Sequence, residues 1–351
     1  MLCASPFTHL PISIPKTWIN AFMKKDIKRI AVLTSGGDAP GMNAAVRAVV
    51  RNAINNDLHI YGIMRGYEGM INGDFKRLET SDVSNIIHRG GTILKTARSQ
   101  RFMTPEGRKL AYENLIDHDI DGLIVIGGNG TFTGAQKFIE EYPDINILGV
   151  PGTIDNDLYG TDFTIGFDTA LNTAVEAVDR IRDTADSHNR LFFVEVMGRH
   201  SGFIALQTAI AGGAGGVLIP EEDTTIEDLI KLLKKGAKRS KLFSIVIVAE
   251  GNKLGTVYDI ARKVEEHIDI YDDIKVTVIG HLQRGGSPTT LDRVLASVLG
   301  FHAVEALLEG KTGQTLGLKN NNVHFCSFHD AITKSKTLNK DMLRMAHILA
   351  Q

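Results

Sequence analysis

The 351-residue chain carries 39 Lys+Arg against 41 Asp+Glu, a formal net charge of -2, with 43% hydrophobic residues, 35 Gly and 9 Pro. Length and hydrophobic content fit an ordinary globular protein of two domains. The balanced charge argues against a nucleic-acid-coating surface, so a highly anionic ligand must meet locally gathered basic groups. Cys3 and Cys326 lie at opposite ends, which excludes a disulfide framework, a zinc ribbon and a CxxC redox pair; a reducing compartment, the cytoplasm, fits. No apolar run approaches the roughly 20 residues of a membrane helix, so no membrane span is expected.

Residues 1–22 contain Pro6, Pro11 and Pro15 and lack the basic start and apolar middle of a secretory signal. They read as an N-terminal appendage expected to be disordered, with Met23 as an alternative start. From there short β-branched runs alternate with helical patterns. Strands are expected at 30–33, 59–63, 123–126, 145–150, 192–197, 244–249 and 276–279, several apolar nearly throughout, as suits strands covered on both faces. The clearest helix is expected at 167–186, where Phe167, Leu171, Ala174, Val175, Val178 and Ile181 recur at helical spacing. Repeated strand-helix units imply parallel α/β sheets, and no Pro- or Ser-rich linker marks a boundary between them.

In such sheets ligands collect beyond the carboxyl ends of the strands. The first turn there, Thr34 to Asn43, contains Gly36, Gly37 and Gly41 before a helix expected at 44–56; it suits backbone approach to an anion, or a merely tight turn. Met42 and Asn43 stand where a P-loop requires Lys and Ser or Thr, and the spacing is not GxGxxG. That excludes a Walker A loop and weakens a dehydrogenase reading. The second turn, Gly127-Gly128-Asn129-Gly130-Thr131, has more glycine than a turn needs and favours close approach of phosphates, ahead of a helix containing 134–142. The third, Pro151 to Asp157, places Asp155 and Asp157 two residues apart. On an extended segment both would point to one side with Thr153, a set suited to holding Mg²⁺ and accepting a hydroxyl proton; the plain alternative is a capped, solvated loop.

Further along, Arg190 opens one strand and Met197-Gly198-Arg199 leaves it. Arg199 is placed to reach an anion, while Arg190 also suits an ordinary surface ion pair. Glu250, ending 244–249, suits sugar hydroxyls or a cap, and His281 and Arg284 add donors after the strand at 276–279. Arg98 carries no meaning alone.

The segments TSGGDAPGMNA at 34–44, PGTIDND at 151–157, MGR at 197–199 and GHLQRGGSP at 280–288 are long, ordered and specific. Through them the chain from about residue 29 to 351 resembles the bacterial-type ATP-dependent 6-phosphofructokinases. The resemblance implies two similar Rossmann-like three-layer α/β domains with mostly parallel sheets and an active site in the cleft between them. The larger, ATP-binding domain would comprise 23–166 plus 283–333, and the smaller, fructose 6-phosphate-binding domain 167–282 plus 334–351, in a homotetramer. It further implies a glycolytic kinase transferring the γ-phosphate of ATP to the 1-hydroxyl of fructose 6-phosphate with Mg²⁺. Asp155 then matches the general base, Thr153 lies beside the transferred group, Asp157 matches the carboxylate close to Mg²⁺, and Arg199 matches the residue steadying the phosphoryl group. Gly37, Arg98, Ser99, Gly128, Asn129, Gly130 and Thr131 match the ATP side. Met197, Gly198, Glu250, His281 and Arg284 match the sugar phosphate side, which Arg190 and Lys275 would reach from a neighbouring subunit.

Some residues depart from the family pattern. Asn129 stands where an aspartate usually helps bind Mg²⁺, and Lys275 where Arg is usual. At the family's effector site Arg47, Arg51 and Arg182 match and Arg239 and Lys241 supply similar charge, but Gly215 replaces an expected Glu and Thr80 an expected Arg. Weak regulation by ADP is therefore expected; otherwise Arg47 and Arg51 are one solvated helix face. Pyrophosphate-using relatives tend to carry Asp and Lys where this chain has Gly130 and Gly152, which favours ATP. A pyrophosphate-dependent enzyme and a catalytically weak nucleotide-binding paralogue are the alternatives.

Overall fold

The computed structural model describes residues 27–186, 190–237 and 244–350, so the N-terminal appendage and the effector candidates Arg239 and Lys241 lie outside the described residues. Strands β1 (Arg29–Thr34), β2 (His59–Ile63), β3 (Phe75–Arg77), β4 (Gly122–Gly127), β5 (Asn146–Pro151), β10 (Gln314–Lys319) and β11 (Asn322–Ser327) form one sheet in the order β11-β10-β5-β4-β1-β2-β3. Strands β6 (Arg190–Val196), β7 (Gly216–Leu218), β8 (Ser244–Ala249) and β9 (Asp273–Val278) form a second in the order β7-β8-β6-β9. The second sheet is parallel throughout, and the first is parallel except at its edges, where β2 pairs with β3 and β10 with β11 antiparallel.

The central strands are where apolar runs predict them, because β1, β4, β5 and β8 are buried along nearly their whole length and only continuous apolar sequence tolerates cover on both faces. Unforeseen are β3, β7, β10 and β11. Three of these lie at sheet edges, β10 lies next to an edge, and each is short or only partly covered, so the apolar signal is diluted. The helix Phe167–Asp186 spans the predicted range, with Phe167, Ala174 and Val178 buried.

A single apolar cluster runs from Ile30 and Val32 of β1 through Phe167, Ala174 and Val178 to Val194 of β6 and Ile247 of β8. Separate clusters cover the far face of each sheet. The helices between the sheets thus serve both, which is why no linker composition separates them. Among the described residues no helix is long and apolar enough to cross a membrane.

Each sheet contains a point at which successive connections run off in opposite directions. From β1 the chain passes to β2 and β3 on one side, and β4 then returns to β1's other flank; likewise β7 and β8 lie on one side of β6 and β9 on the other. Crevices form at such points, where the departing loops part. The register Thr34↔Ile126 and Gly127↔Pro151 brings the first three candidate turns together, and Val196↔Ala249 with Glu195↔Val278 does the same in the second sheet.

Candidate active site

The crevice between β1 and β4 opens into a cavity of about 410 Å³ lined by Gly37, Arg98, Ser99, Gly128, Asn129, Gly130 and Thr131, by Gly152, Thr153, Asp155 and Asp157, and by Arg199 and Arg284 from the second sheet's loops. The Ser35 amide donates to the Ile126 carbonyl at 2.9 Å and Thr131 Oγ1 to the Ser35 carbonyl at 3.1 Å, closing the two glycine-rich turns on each other. Asn43, at the P-loop Ser/Thr position, is buried and braces a neighbouring loop: its Oδ1 accepts from the Ile93 amide and its Nδ2 donates to the Arg89 carbonyl.

Two local expectations change. The second glycine-rich turn is shorter than its composition suggests, because the helix Asn129–Glu141 begins at Asn129. Gly128 supplies its N-cap without a side-chain bond, and the Thr131 and Phe132 amides turn back to the Gly128 carbonyl, so the Asn129 and Gly130 amides are left at an uncapped helix N-terminus whose residues line the cavity. This is an anion-binding arrangement. Likewise, Thr153 to Asp157 is not extended: the chain turns at Ile154-Asp155 and Asn156 takes a left-handed φ of 51°. Asp155 and Asp157 line the same cavity through that turn rather than through strand alternation, with Asp155 buried and Asp157 half-buried.

Asp155 is 2% exposed, and its Oδ1 has no hydrogen-bond partner. Burial pushes its pKa up first, the neighbouring Asp157 pushes it further, and Arg199 and Arg284 oppose both. Arg199 Nε lies 3.4 Å from Asp155 Oδ2. Arg199 itself has a left-handed φ of 51°, rare for a residue with a side chain, and its amide donates to Glu250 Oε1 at 2.7 Å. Glu250 therefore holds the Arg199 loop rather than lining the cavity. Arg284 Nη1 donates to the Asp38 carbonyl at 3.3 Å, and a Cβ on Gly37 would stand 2.6 Å from it, so Gly37 is the residue that lets the guanidinium lie on the turn. Arg284, matched by resemblance to the sugar phosphate, here lines the same cavity as the glycine-rich turns.

Other predicted residues are not brought to the cavity. Met197 donates its amide to Gln283, Gly198 is buried behind Arg199, and His281 is exposed on the 3₁₀ turn Gly280–Arg284. Arg190 and Lys275 share one carboxylate, Asp273, at 3.7 and 2.7 Å, near the amino ends of β6 and β9 and away from this chain's own cleft. Arg47 and Arg51 lie on the helix Met42–Asn55, where burial and then Arg51 hold the Arg47 guanidinium below its usual value. Arg182 lies on Phe167–Asp186, and none of these three lines the cavity.

Part of the cavity wall carries no sequence motif. Tyr67 and Phe102 stack with centroids 4.0 Å apart and planes 8° from parallel, and Arg108 holds the 102–103 turn through both carbonyls while paired with Glu141. Lys137 and Thr133 line the cavity from the same helix face as Gly130. These residues are spread over several elements and form no motif.

Among the described residues no three His, Cys, Asp or Glu side chains gather as a metal cage. Asp157 still offers a cavity-lining carboxylate, one of whose oxygens, Oδ2, accepts from Asn129 Nδ2 at 2.9 Å. One such carboxylate suits Mg²⁺ that takes its remaining ligands from phosphate and water. Chemically, the arrangement can seat an anionic chain on a helix N-terminus, counter its charge with two guanidinium groups, and take a proton on Asp155.

A doubly wound α/β protein with a polyphosphate-sized cleft at its switch point is the class defined by these features. The phosphofructokinase family matches residues 29–307. Over 323 residues the chain is 54% identical to the ATP-dependent 6-phosphofructokinase of Cytophaga hutchinsonii, covering 92% of this chain and 98% of the relative. It is 53% identical over 324 residues to ATP-dependent 6-phosphofructokinase 1 of Thermus thermophilus, covering 92% of this chain and 100% of the relative. Its fold superposes on the phosphofructokinase of Saccharomyces cerevisiae with a TM-score of 0.83 at 37% identity, covering 92% of this chain and 48% of the yeast chain, so it spans about half the length of that protein. The chain belongs to the phosphofructokinase family.

Proposed function

We propose that the chain is an ATP-dependent 6-phosphofructokinase that transfers the γ-phosphate of ATP to the 1-hydroxyl of fructose 6-phosphate, giving fructose 1,6-bisphosphate and ADP. The observation that carries this is the buried, unpartnered Oδ1 of Asp155, whose carboxylate lies beside Arg199 in a cavity that Arg284 also lines. Asp155 takes the proton of the attacking hydroxyl. Arg199 and Arg284 offset the charge gathering on the transferring group, where positioning and electrostatics dominate such reactions. The Asn129 and Gly130 amides hold phosphate oxygens, and Asp157, with Asn129 beside it, would hold Mg²⁺, which supplies charge neutralisation on the phosphates.

ATP rather than pyrophosphate is the donor. A side chain at Gly152 would stand 3.0 Å from Met42 Cε and 3.1 Å from Ile126 Cγ2, so a lysine there needs rearrangement. The domains are 23–166 plus 283–333 and 167–282 plus 334–351, a reading supported by each range holding one whole sheet. Arg190 and Lys275, turned from their own cleft, serve the 6-phosphate of a neighbouring subunit in a homotetramer, and Arg47, Arg51 and Arg182 form a weak effector site. The enzyme works in the cytoplasm. The test offers ATP and pyrophosphate separately with fructose 6-phosphate: Mg²⁺-dependent bisphosphate formation with ATP alone is expected, and turnover with pyrophosphate alone overturns the donor assignment.

A further inference from the structure

Lys336 is half-buried between the helices Phe328–Thr333 and Lys340–Leu349, where the chain passes for the last time from one sheet's helices to the other's. Its Nζ donates to Asn156 Oδ1 at 2.8 Å and to the Asp162 carbonyl at 2.8 Å. Asn156 separates Asp155 from Asp157, is 2% exposed and holds the turn's left-handed φ of 51°. Its Oδ1 also accepts from the Thr164 amide at 3.0 Å and its Nδ2 donates to the Asp162 carbonyl at 3.2 Å, while Thr164 Oγ1 donates to the Thr153 carbonyl at 2.6 Å. The turn bearing Asp155 is thus tied at Thr153 and at Asn156 to one bracket, and Lys336 closes that bracket.

The same ammonium lies 5.2 Å from the centroid of the Phe203 ring. Phe203 opens the helix Phe203–Ala211, which directly follows the Arg199 loop, and Ser201 Oγ in that loop donates to the Asp155 carbonyl at 3.1 Å and to the Gly198 carbonyl at 2.9 Å. Burial pushes the lysine down to about 8, with Asp162 and Asp157 opposing, so the ammonium prevails at neutral pH. A half-buried ammonium bridging a carbonyl, an amide oxygen and an aromatic face is held from three sides.

We infer that Lys336 is a positioning residue for phosphoryl transfer: by bridging Asn156 and backing Phe203, it sets the separation of Asp155 and Arg199 across the cleft. This rests on Asp155 being the base. Displacing a reacting group by an ångström lowers turnover by about 100-fold while leaving distant ligand contacts intact.

The test is a double-mutant cycle of Lys336→Met and Asn156→Gly, glycine being able to hold the left-handed φ without the acceptor. Melting temperatures are taken so that turnover is read on folded protein. Each single variant is expected to lower kcat about 10- to 100-fold with KM for ATP within about twofold of the parent, and the double variant to be no worse than the poorer single. Unchanged kcat in either variant, losses that multiply in the double, or a rise in KM without loss of kcat overturns the inference. Should Lys336→Met not fold, kcat of Asn156→Gly decides alone. Asp155→Asn is assayed alongside: full turnover there removes the base assignment, whereas the coupling of residues 336 and 156 is read independently from the cycle.

Discussion

Arg199 and Asp155 meet across the cleft with Nε 3.4 Å from Oδ2, yet the second carboxylate oxygen of Asp155 has no partner. The pairing is lopsided in solvent as well as geometry, since the arginine side chain is 58% exposed and the carboxylate 3%. A buried carboxylate with one oxygen engaged and the other without a partner is harder to ionise than an ordinary aspartate and keeps one acceptor unfilled. That combination generates opposed effects on activity and stability.

Asp155→Asn tests them together. Loss of the proton acceptor is expected to lower kcat about 10²- to 10⁴-fold. Because burial and Asp157 raise the folded-state pKa, the ionised carboxylate weakens the fold at neutral pH. The folded state gains relative stability only as pH falls and the group protonates. The variant should therefore melt higher than the parent at neutral pH, with the difference vanishing in acid below the ordinary carboxylate range. Melting curves at the two pH values beside steady-state rates check both signs.

Gly130→Asp separates ligand crowding from fold damage. A Cβ there meets no protein atom within 4 Å, and an acidic residue in the first helical turn suits the helix dipole. Stability should stay within about 0.5 kcal/mol of the parent. KM for ATP should rise steeply, because a carboxylate then faces the phosphates at the Asn129 and Gly130 amides. Nucleotide titration with a denaturation curve reads both, and an unchanged KM sinks the placement of ATP.

Asn129→Asp addresses the metal. The amide now donates to Asp157 Oδ2 at 2.9 Å, a bond a second carboxylate would replace with repulsion. The variant should melt lower in chelator, regain the loss with Mg²⁺, and need less Mg²⁺ for half-maximal activity. An identical Mg²⁺ requirement in both proteins counts against Asp157 and residue 129 sharing the ion.

Gly251→Ala tests the support of the Arg199 loop. The added Cβ would stand 1.8 Å from the Arg199 carbonyl oxygen, a backbone atom that cannot turn aside. The loop held by Glu250 must shift, at a stability loss of about 1–3 kcal/mol. Turnover and KM for fructose 6-phosphate should suffer while KM for ATP holds, as a comparison of the two substrate titrations shows.

Much of the site was legible because its parts are contiguous in sequence. Gly36-Gly37, Gly127-Gly128 and Thr153 to Asp157 each lie at the carboxyl end of a strand with a buried, mostly apolar run, and the topology of a parallel sheet delivers such turns to one edge. What escaped was assembled from scattered single residues: the Tyr67–Phe102 stack, the Arg108–Glu141 pair behind it, and Lys336 behind Asn156. The turn at Ile154-Asp155 was also hidden, since its geometry depends on Asn156 bonding to Thr164 and Lys336, partners 8 and 180 residues away.

The residues proposed to carry the chemistry, a carboxylate, glycine-rich turns and arginines, were written in the order of the chain, because short segments dictate which strand ends in which turn. Which oxygen of Asp155 is left free, that Glu250 braces Arg199, and that Arg190 and Lys275 turn away from their own cleft were decided only when elements distant in sequence paired and packed. Hydrogen bonds and charge pairs depend on distances of a few ångströms, and those are set by where distant elements come to rest against a shared apolar core.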